Sequence, residues 1–168
     1  MIVLISGANN SGKSAFAEKW VRGTRGRRYY IATMVPQTEE NCLRIEKHRR
    51  QRAGLGFTTL EMPFDVAKAP VTPDSVVLLE DISNLLANNM FDRGAGVDTV
   101  YQDLLALAER CRVLLLVTIT GMQADNYAGE TAEYVMALND LNGRLFTAAD
   151  TVVTLRDGEP AYQKGEPG

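Results

Sequence analysis

The chain reads as an α/β protein, a mostly parallel sheet with helices on both faces, in a single domain spanning residues 1–168. Three observations predict this. Short apolar runs alternate with helix-like stretches along the whole length, the pattern of β-α units laid side by side. A glycine-rich turn, Gly7-Ala8-Asn9-Asn10-Ser11-Gly12-Lys13-Ser14, joins the first apolar run to the first helix-like stretch. At 168 residues, with 45% hydrophobic and 23% charged content, the chain can bury one sizeable core.

The first element is a buried strand at 2–6, from the run Ile2-Val3-Leu4-Ile5, and a helix over 13–22 follows it. The turn between them matches G-x-x-x-x-G-K-[ST] in full. Strand, glycine-rich turn and helix are what such a loop needs, because backbone N–H groups must converge on phosphate at a helix N-terminus. Gly7 and Gly12 relieve the sterics of the turn, Lys13 reaches the outer phosphates, and the Ser14 hydroxyl is a ligand for Mg²⁺. The motif predicts a nucleoside triphosphate as ligand.

A second strand is predicted at 29–33 and a second helix over 38–52. Residues 22–52 hold nine of the eighteen Lys and Arg: Arg22, Arg25, Arg27, Arg28, Arg44, Lys47, Arg49, Arg50 and Arg52. Beside a phosphate loop, that clustering favours an electropositive wall for anionic substrates, with a solvated surface as the plain alternative. The net charge of −3 and the lack of interleaved aromatics argue against nucleic acid. The lone histidine, His48, falls within Leu43–Arg52, where a helix sets positions 44 and 52 on its own face. A lone histidine is most often a surface or capping residue. Here the neighbouring guanidinium groups favour neutral imidazole, the nucleophilic form, and can bind phosphates under attack, with Glu46 and the preceding acids opposing.

A strand at 57–61 and a loop marked by Pro63, Pro70 and Pro73 lead to a strand at 75–80 that ends in Glu80-Asp81. In phosphate-loop proteins a strand beside the first delivers a carboxylate to the magnesium ion. Successive strand residues face opposite ways, so the two acids cannot share that role. Glu80 is assigned to the metal, directly or through water, and Asp81 is either a second active-site acid or the N-cap of the next helix. Helices over 82–91 and 98–111 flank a turn at Asp92–Gly96. A strand at 112–118, a helix over 130–147 and a strand at 151–155 follow. Asp157-Gly158 fits a hairpin turn before a terminal strand at 160–164, and the tail Gly165–Gly168 is expected to fray.

No N-K-x-D guanine motif, D-x-x-G switch or transporter signature is present, which points to a small-molecule kinase or nucleotidyltransferase. No apolar run approaches the roughly 20 residues of a membrane span, and the first apolar stretch runs directly into the loop, so a cytoplasmic protein is expected. Cys42 and Cys111 lack metal-like spacing and read as free thiols.

The order of these blocks resembles the bifunctional adenosylcobinamide kinase/adenosylcobinamide-phosphate guanylyltransferase family of cobalamin biosynthesis, over nearly the whole length. The loop Ile5 to Ser14 comes first, then Tyr30-Ile31-Ala32-Thr33, the helix Arg44-Ile45-Glu46-Lys47-His48 with Arg52, and Thr59-Leu60-Glu61-Met62-Pro63. Leu78-Leu79-Glu80-Asp81-Ile82 follows with Asn88 or Asn89 and Phe91, and then Asn142, Ala148-Ala149-Asp150 and Val152. The phosphate loop alone is unspecific; the Tyr-Ile-Ala-Thr block followed by Arg-Ile-x-x-His is much more specific. The resemblance implies a RecA-like P-loop fold, a homotrimer, a corrinoid small molecule as acceptor, and Mg²⁺-dependent use of ATP and GTP. It implies phosphorylation of the aminopropanol hydroxyl of adenosylcobinamide, then GMP transfer from GTP through a guanylyl-histidine, with His48 at the nucleophile's position and Lys13 assisting. The expected nucleotide site is the loop Gly7–Ser14 with Arg44, Arg49, Arg52, Glu61 and Glu80, and Ser14 and Glu80 form the metal pair. Two departures stand out: Thr118-Ile119-Thr120-Gly121 where the family carries Asn-Glu-Val-Gly, and Asn142-Gly143 where it carries Asn-Gln. They leave two rivals: another small-molecule P-loop kinase in which His48 is structural, or a degenerate nucleotide-binding homologue with a regulatory role.

Overall fold

A computed structural model describes residues 1–166. Seven strands form one sheet: β1 (Ile2–Gly7), β2 (Arg28–Ala32), β3 (Phe57–Glu61), β4 (Val76–Glu80), β5 (Val113–Ile119), β6 (Thr151–Arg156) and β7 (Glu159–Lys164). Five helices connect them: α1 (Lys13–Arg22), α2 (Glu39–Arg52), α3 (Ile82–Arg93), α4 (Val97–Glu109) and α5 (Gly129–Ala148). Every predicted strand and helix forms, with ends moved by a residue or two. Two short 3-10 turns, Val66–Lys68 and Ala124–Asn126, lie in stretches read as loop. The fraying expected of the tail concerns partly Pro167 and Gly168, which lie outside the described residues; Gly165 sits close against Thr151, leaving no room for a Cβ.

The sheet order is β3-β2-β4-β5-β1-β6-β7, parallel throughout except for β6–β7. Alternate residues of each buried strand feed two cores. Leu4, Ile31, Leu79, Leu114 and Leu116 meet α3, α4 and α5 on one face. Val3, Ile5, Leu78, Leu115 and Val117 meet Ala17 and Val21 of α1 on the other. The expectation that the carboxylate-bearing strand lies beside β1 is corrected here, because β5 separates β4 from β1. β5 is apolar from Val113 to Val117 and buried over those residues, which suits it to the centre of the sheet.

Parallel pairing brings the C-terminal ends of β1, β2, β3 and β4 to one edge, where ligands bind in open α/β sheets. It also corrects the reading of the basic cluster. Arg25, Arg27 and Arg28 precede or open β2, so they lie at the opposite end of the sheet from the phosphate loop. Arg28 is spent on the carbonyls of Leu55 and Thr24, at 2.7 and 2.9 Å.

Candidate active site

The phosphate loop leaves β1 at Gly7 and enters α1 at Lys13. Close approach explains its glycines. A Cβ on Gly7 would stand 2.7 Å from the Leu155 carbonyl oxygen, and one on Gly12 would stand 3.1 Å from Gly158 Cα. Gly12 also has φ +95°, in the region that favours glycine. The β6–β7 turn braces the loop from behind, with Gly158 N–H donating to Ser11 O at 2.9 Å. Asp157 and Gly158 both have positive φ, as the expected two-residue hairpin requires. Ala8, Asn9 and Asn10 are exposed at the mouth. The first turn of α1 has no side-chain cap, so its N–H groups stay open to an anion. Lys13 Nζ lies across the loop, donating to Ala8 O at 2.5 Å, with Ser11 Oγ at 3.5 Å. Burial pulls the Lys13 ammonium below its usual range, against the attraction of Asp81 and Glu80.

Glu80 ends β4 with 8% of its surface exposed. Ser14 Oγ donates to its Oε2 at 3.0 Å, and His48 Nδ1 lies 3.3 Å from the same oxygen. Burial pushes the Glu80 carboxyl up to about 7, with the Ser14 hydrogen bond opposing. Its Oε1 is buried with no hydrogen-bond partner. A serine hydroxyl and a carboxylate with one orphaned oxygen suit a hard cation such as Mg²⁺, which keeps several waters and phosphate oxygens as its other ligands. Among the described residues no cluster of three or more His, Cys, Asp or Glu forms a protein-only metal cage.

The imidazole of His48 is held below its usual range chiefly by burial, opposed by Asp81 and reinforced by Arg52. Neutral imidazole was expected from the guanidinium groups; burial is the larger cause. Of its two open roles, Asp81 takes the structural one. Its Oδ1 accepts from the backbone N–H of Asn84 at 2.8 Å and from Ser83 Oγ at 2.7 Å, capping α3. Thr33 braces the same corner, its Oγ1 accepting from Asp81 N–H at 2.9 Å.

The predicted arginines divide. Arg44 is exposed, pairs with Glu40 one turn back at 2.9 Å and does not line the cavity. Arg49 and Glu61 pair with each other at 2.9 Å on the cavity wall. Arg52 is buried, its guanidinium carbon 3.8 Å from the centre of the Tyr30 ring. These side chains, with His48 and Glu80, border a cavity of about 870 Å³ whose other wall is apolar, formed by Met34, Val35, Pro36, Ile45 and Pro63. Sequence reasoning missed Glu18, buried and one turn beyond Ser14 on α1, its carboxyl pushed up first by burial and then by Glu80. The Ser14-to-Glu18 spacing was the signal for it. The departing segment at the end of β5 is tied down: Thr118 Oγ1 donates to Asn142 Oδ1 at 2.7 Å, Asn142 Nδ2 to Ile119 O at 3.0 Å, and Thr120 N–H to Gly7 O at 3.1 Å.

A glycine-rich loop at a strand–helix junction, its lysine and serine facing a buried carboxylate at the same sheet edge, defines a RecA-like P-loop nucleotide-binding protein. The fold matches that of a prototypical ATPase from the type III secretion system of pathogenic bacteria, with a TM-score of 0.53 over 96% of this chain and 56% of that one, at 8% identity. The model of the CobU family, cobinamide kinase/cobinamide phosphate guanyltransferase, matches residues 3–162. The chain belongs to that family of nucleotide-dependent transferases. It is 30% identical to the bifunctional adenosylcobalamin biosynthesis protein CobU of Escherichia coli over 140 residues, covering 73% of this chain and 77% of the relative. It is 29% identical to the protein of the same name from Salmonella typhimurium over 171 aligned positions, covering 90% and 93%. No helix among the described residues is long and apolar enough to cross a membrane.

Proposed function

We propose that this protein phosphorylates adenosylcobinamide and then transfers GMP from GTP to the resulting phosphate, with His48 as the covalent carrier. One observation carries the reading: a single carboxylate oxygen, Glu80 Oε2, touches both Ser14 of the phosphate loop and the His48 imidazole. Nucleophile and triphosphate site thereby share one support.

In the guanylyl step the β- and γ-phosphates lie in the loop, against backbone N–H groups, Lys13 and Ser14. Nδ1 of His48 faces Glu80, which leaves Nε2 as the attacking nitrogen, and burial keeps the ring neutral. The Nε2–phosphorus bond forms as the bond from the α-phosphorus to its bridging oxygen breaks, and pyrophosphate leaves with the electron pair. Lys13 balances the charge on that leaving group. A phosphate oxygen of the acceptor then displaces the imidazole from phosphorus. In the kinase step Lys13 and Ser14 position the γ-phosphate of ATP or GTP for the substrate hydroxyl. Ser14 and Glu80 would hold Mg²⁺, which would supply charge neutralisation at the phosphates. The apolar wall of the cavity accepts part of the corrinoid, and a homotrimeric, cytoplasmic enzyme completes the proposal.

Intact-protein mass after incubation with GTP and Mg²⁺ tests the reading. An acid-labile GMP adduct is expected on the wild type and absent from His48→Ala. No adduct on wild-type protein that binds GTP would leave a kinase alone.

A further inference from the structure

The β6–β7 hairpin at the edge of the sheet lends no side chain to the His48 cavity, yet it reaches the phosphate loop. Its ladder closes at Arg156 and Glu159, and the two residues between them, Asp157 and Gly158, have φ +50° and +81°. Both central residues of the tight hairpin turn take positive φ. The closing bonds belong to Arg156 and Glu159, so the Gly158 N–H stands outside the ladder. It donates away from the hairpin, to Ser11 O at 2.9 Å. Ser11 is buried, and a buried carbonyl needs such a partner. The approach is close: a Cβ on Gly12 would stand 3.1 Å from Gly158 Cα and 3.6 Å from its nitrogen. The hairpin itself has a fixed base. β6 pairs with β1 as far as Leu155 opposite Gly7, and the hydroxyls of Ser6 and Thr154 stand 3.0 Å apart. Tyr162 of β7 packs on the core cluster that Phe16 and Trp20 of α1 also cover.

What this contact fixes is a peptide plane. The Ser11 carbonyl and the Gly12 N–H belong to one planar trans peptide, so they point in opposite directions. With the carbonyl tied to Gly158 behind the loop, the Gly12 N–H faces away from the turn and joins the uncapped N–H groups that open α1. We propose that Gly158 is a positioning residue of the triphosphate site: through Ser11 it aims the Gly12 N–H at phosphate, although it touches no ligand itself. This rests on the phosphate loop as the triphosphate site and is independent of the covalent step at His48. The device depends on backbone conformation. At positive φ valine is an outlier, whereas asparagine enters the left-handed region more readily than most side chains. A Cβ at position 158 meets open space, so its cost comes from the backbone rather than from a clash.

The test is calorimetric titration of folded protein with pyrophosphate and Mg²⁺, beside thermal melts of each variant. In Gly158→Val the pyrophosphate dissociation constant is expected to rise roughly 10-fold, the weight of one charged hydrogen bond lost from the loop. Gly158→Asn accepts the same backbone conformation and should stay within about twofold of wild type. Gly94→Val is the control for strain alone. Gly94 has φ +63° in open space and follows the last residue of α3, about 18 Å along that helix from Asp81. That variant should melt at a lower temperature and keep its pyrophosphate affinity within about twofold. Gly158→Ala carries less strain and serves if the valine variant does not fold, with a rise of roughly threefold expected. Unchanged affinity in whichever of these two folds would overturn the proposal and leave the turn a hairpin closure only. Equal losses in Gly158→Val and Gly94→Val would overturn it as well, as the effect of strain anywhere in the fold. A wild type that binds no pyrophosphate would sink the loop reading and the proposal together. If the wild type binds pyrophosphate but forms no GMP adduct, a selective loss in Gly158→Val upholds the proposal while the covalent reading falls.

Discussion

The phosphate loop grows out of β1, buried along its whole length, and continues into α1, which buries Ala17 and Val21 against the sheet. The helix that carries His48 is attached quite differently. α2 buries only Arg52, leaves Leu43 62% exposed, and meets the sheet through polar contacts: Arg52 on Tyr30, Arg49 on Glu61, His48 beside Glu80. Of these, the exposed Arg49–Glu61 pair adds about 0–1 kcal/mol to stability. The contrast separates two jobs. Apolar burial gives the phosphate-loop half rigidity and folding energy, whereas the α2 half is positioned by a few directional contacts that contribute little to folding and much to geometry.

The largest expected difference lies in truncation of the two halves. Leu115→Ala removes a fully buried side chain from β5 and should cost about 2–5 kcal/mol. Leu43→Ala on α2 should stay within about 0.5 kcal/mol. Thermal melts of both variants decide this, and equal losses would break the distinction.

Glu80 is where the halves meet, and its ionisation sharpens the comparison. In metal-free protein its carboxyl sits at about 7 against an ordinary 4.5, so the folded state holds the proton more tightly than the unfolded chain. Ionising it costs stability, and this contribution is lost as pH rises from about 4.5 to about 7. Mg²⁺ binds the ionised form, so it should raise the melting temperature more at about pH 8 than at about pH 5.5. Glu80→Gln should flatten both responses. A Mg²⁺ effect that is the same at both pH values would move the ion elsewhere.

The smallest expected effect concerns the two thiols, one in each half. Cys42 is exposed on α2; Cys111 is buried just before β5, and burial pushes its thiol up to about 11. At about pH 8 its thiolate fraction is roughly a thousandth, so a chromogenic disulfide reagent should titrate one thiol quickly in native protein and two after unfolding. Fast reaction of both would mean that the sheet half opens as readily as α2.

Much of this was readable from local pattern. The apolar runs located β1, β4 and β5, because a buried parallel strand needs an unbroken run. The arginines were not readable one by one. Arg44, Arg49 and Arg52 look alike as sequence, and what separates them is whether Glu40, Glu61 or the Tyr30 face lies within reach. Glu18 was passed over because an acid on an amphipathic helix reads as solvated until its neighbours are known.

By itself the sequence determined the phosphate loop, the run of strands and helices, the Asp157-Gly158 turn and the candidacy of His48 and Glu80. These follow from backbone sterics, hydrogen-bonding side chains and apolar periodicity, all acting over a few residues. Tertiary structure alone decided that β5 lies between β1 and β4, that Arg25 to Arg28 face away from the loop, that Glu80 touches both Ser14 and His48, and that Arg52 is the buried arginine without a carboxylate. Strand order and burial depend on which distant surfaces meet, and a charge acquires its role only when desolvation and its neighbours are set together.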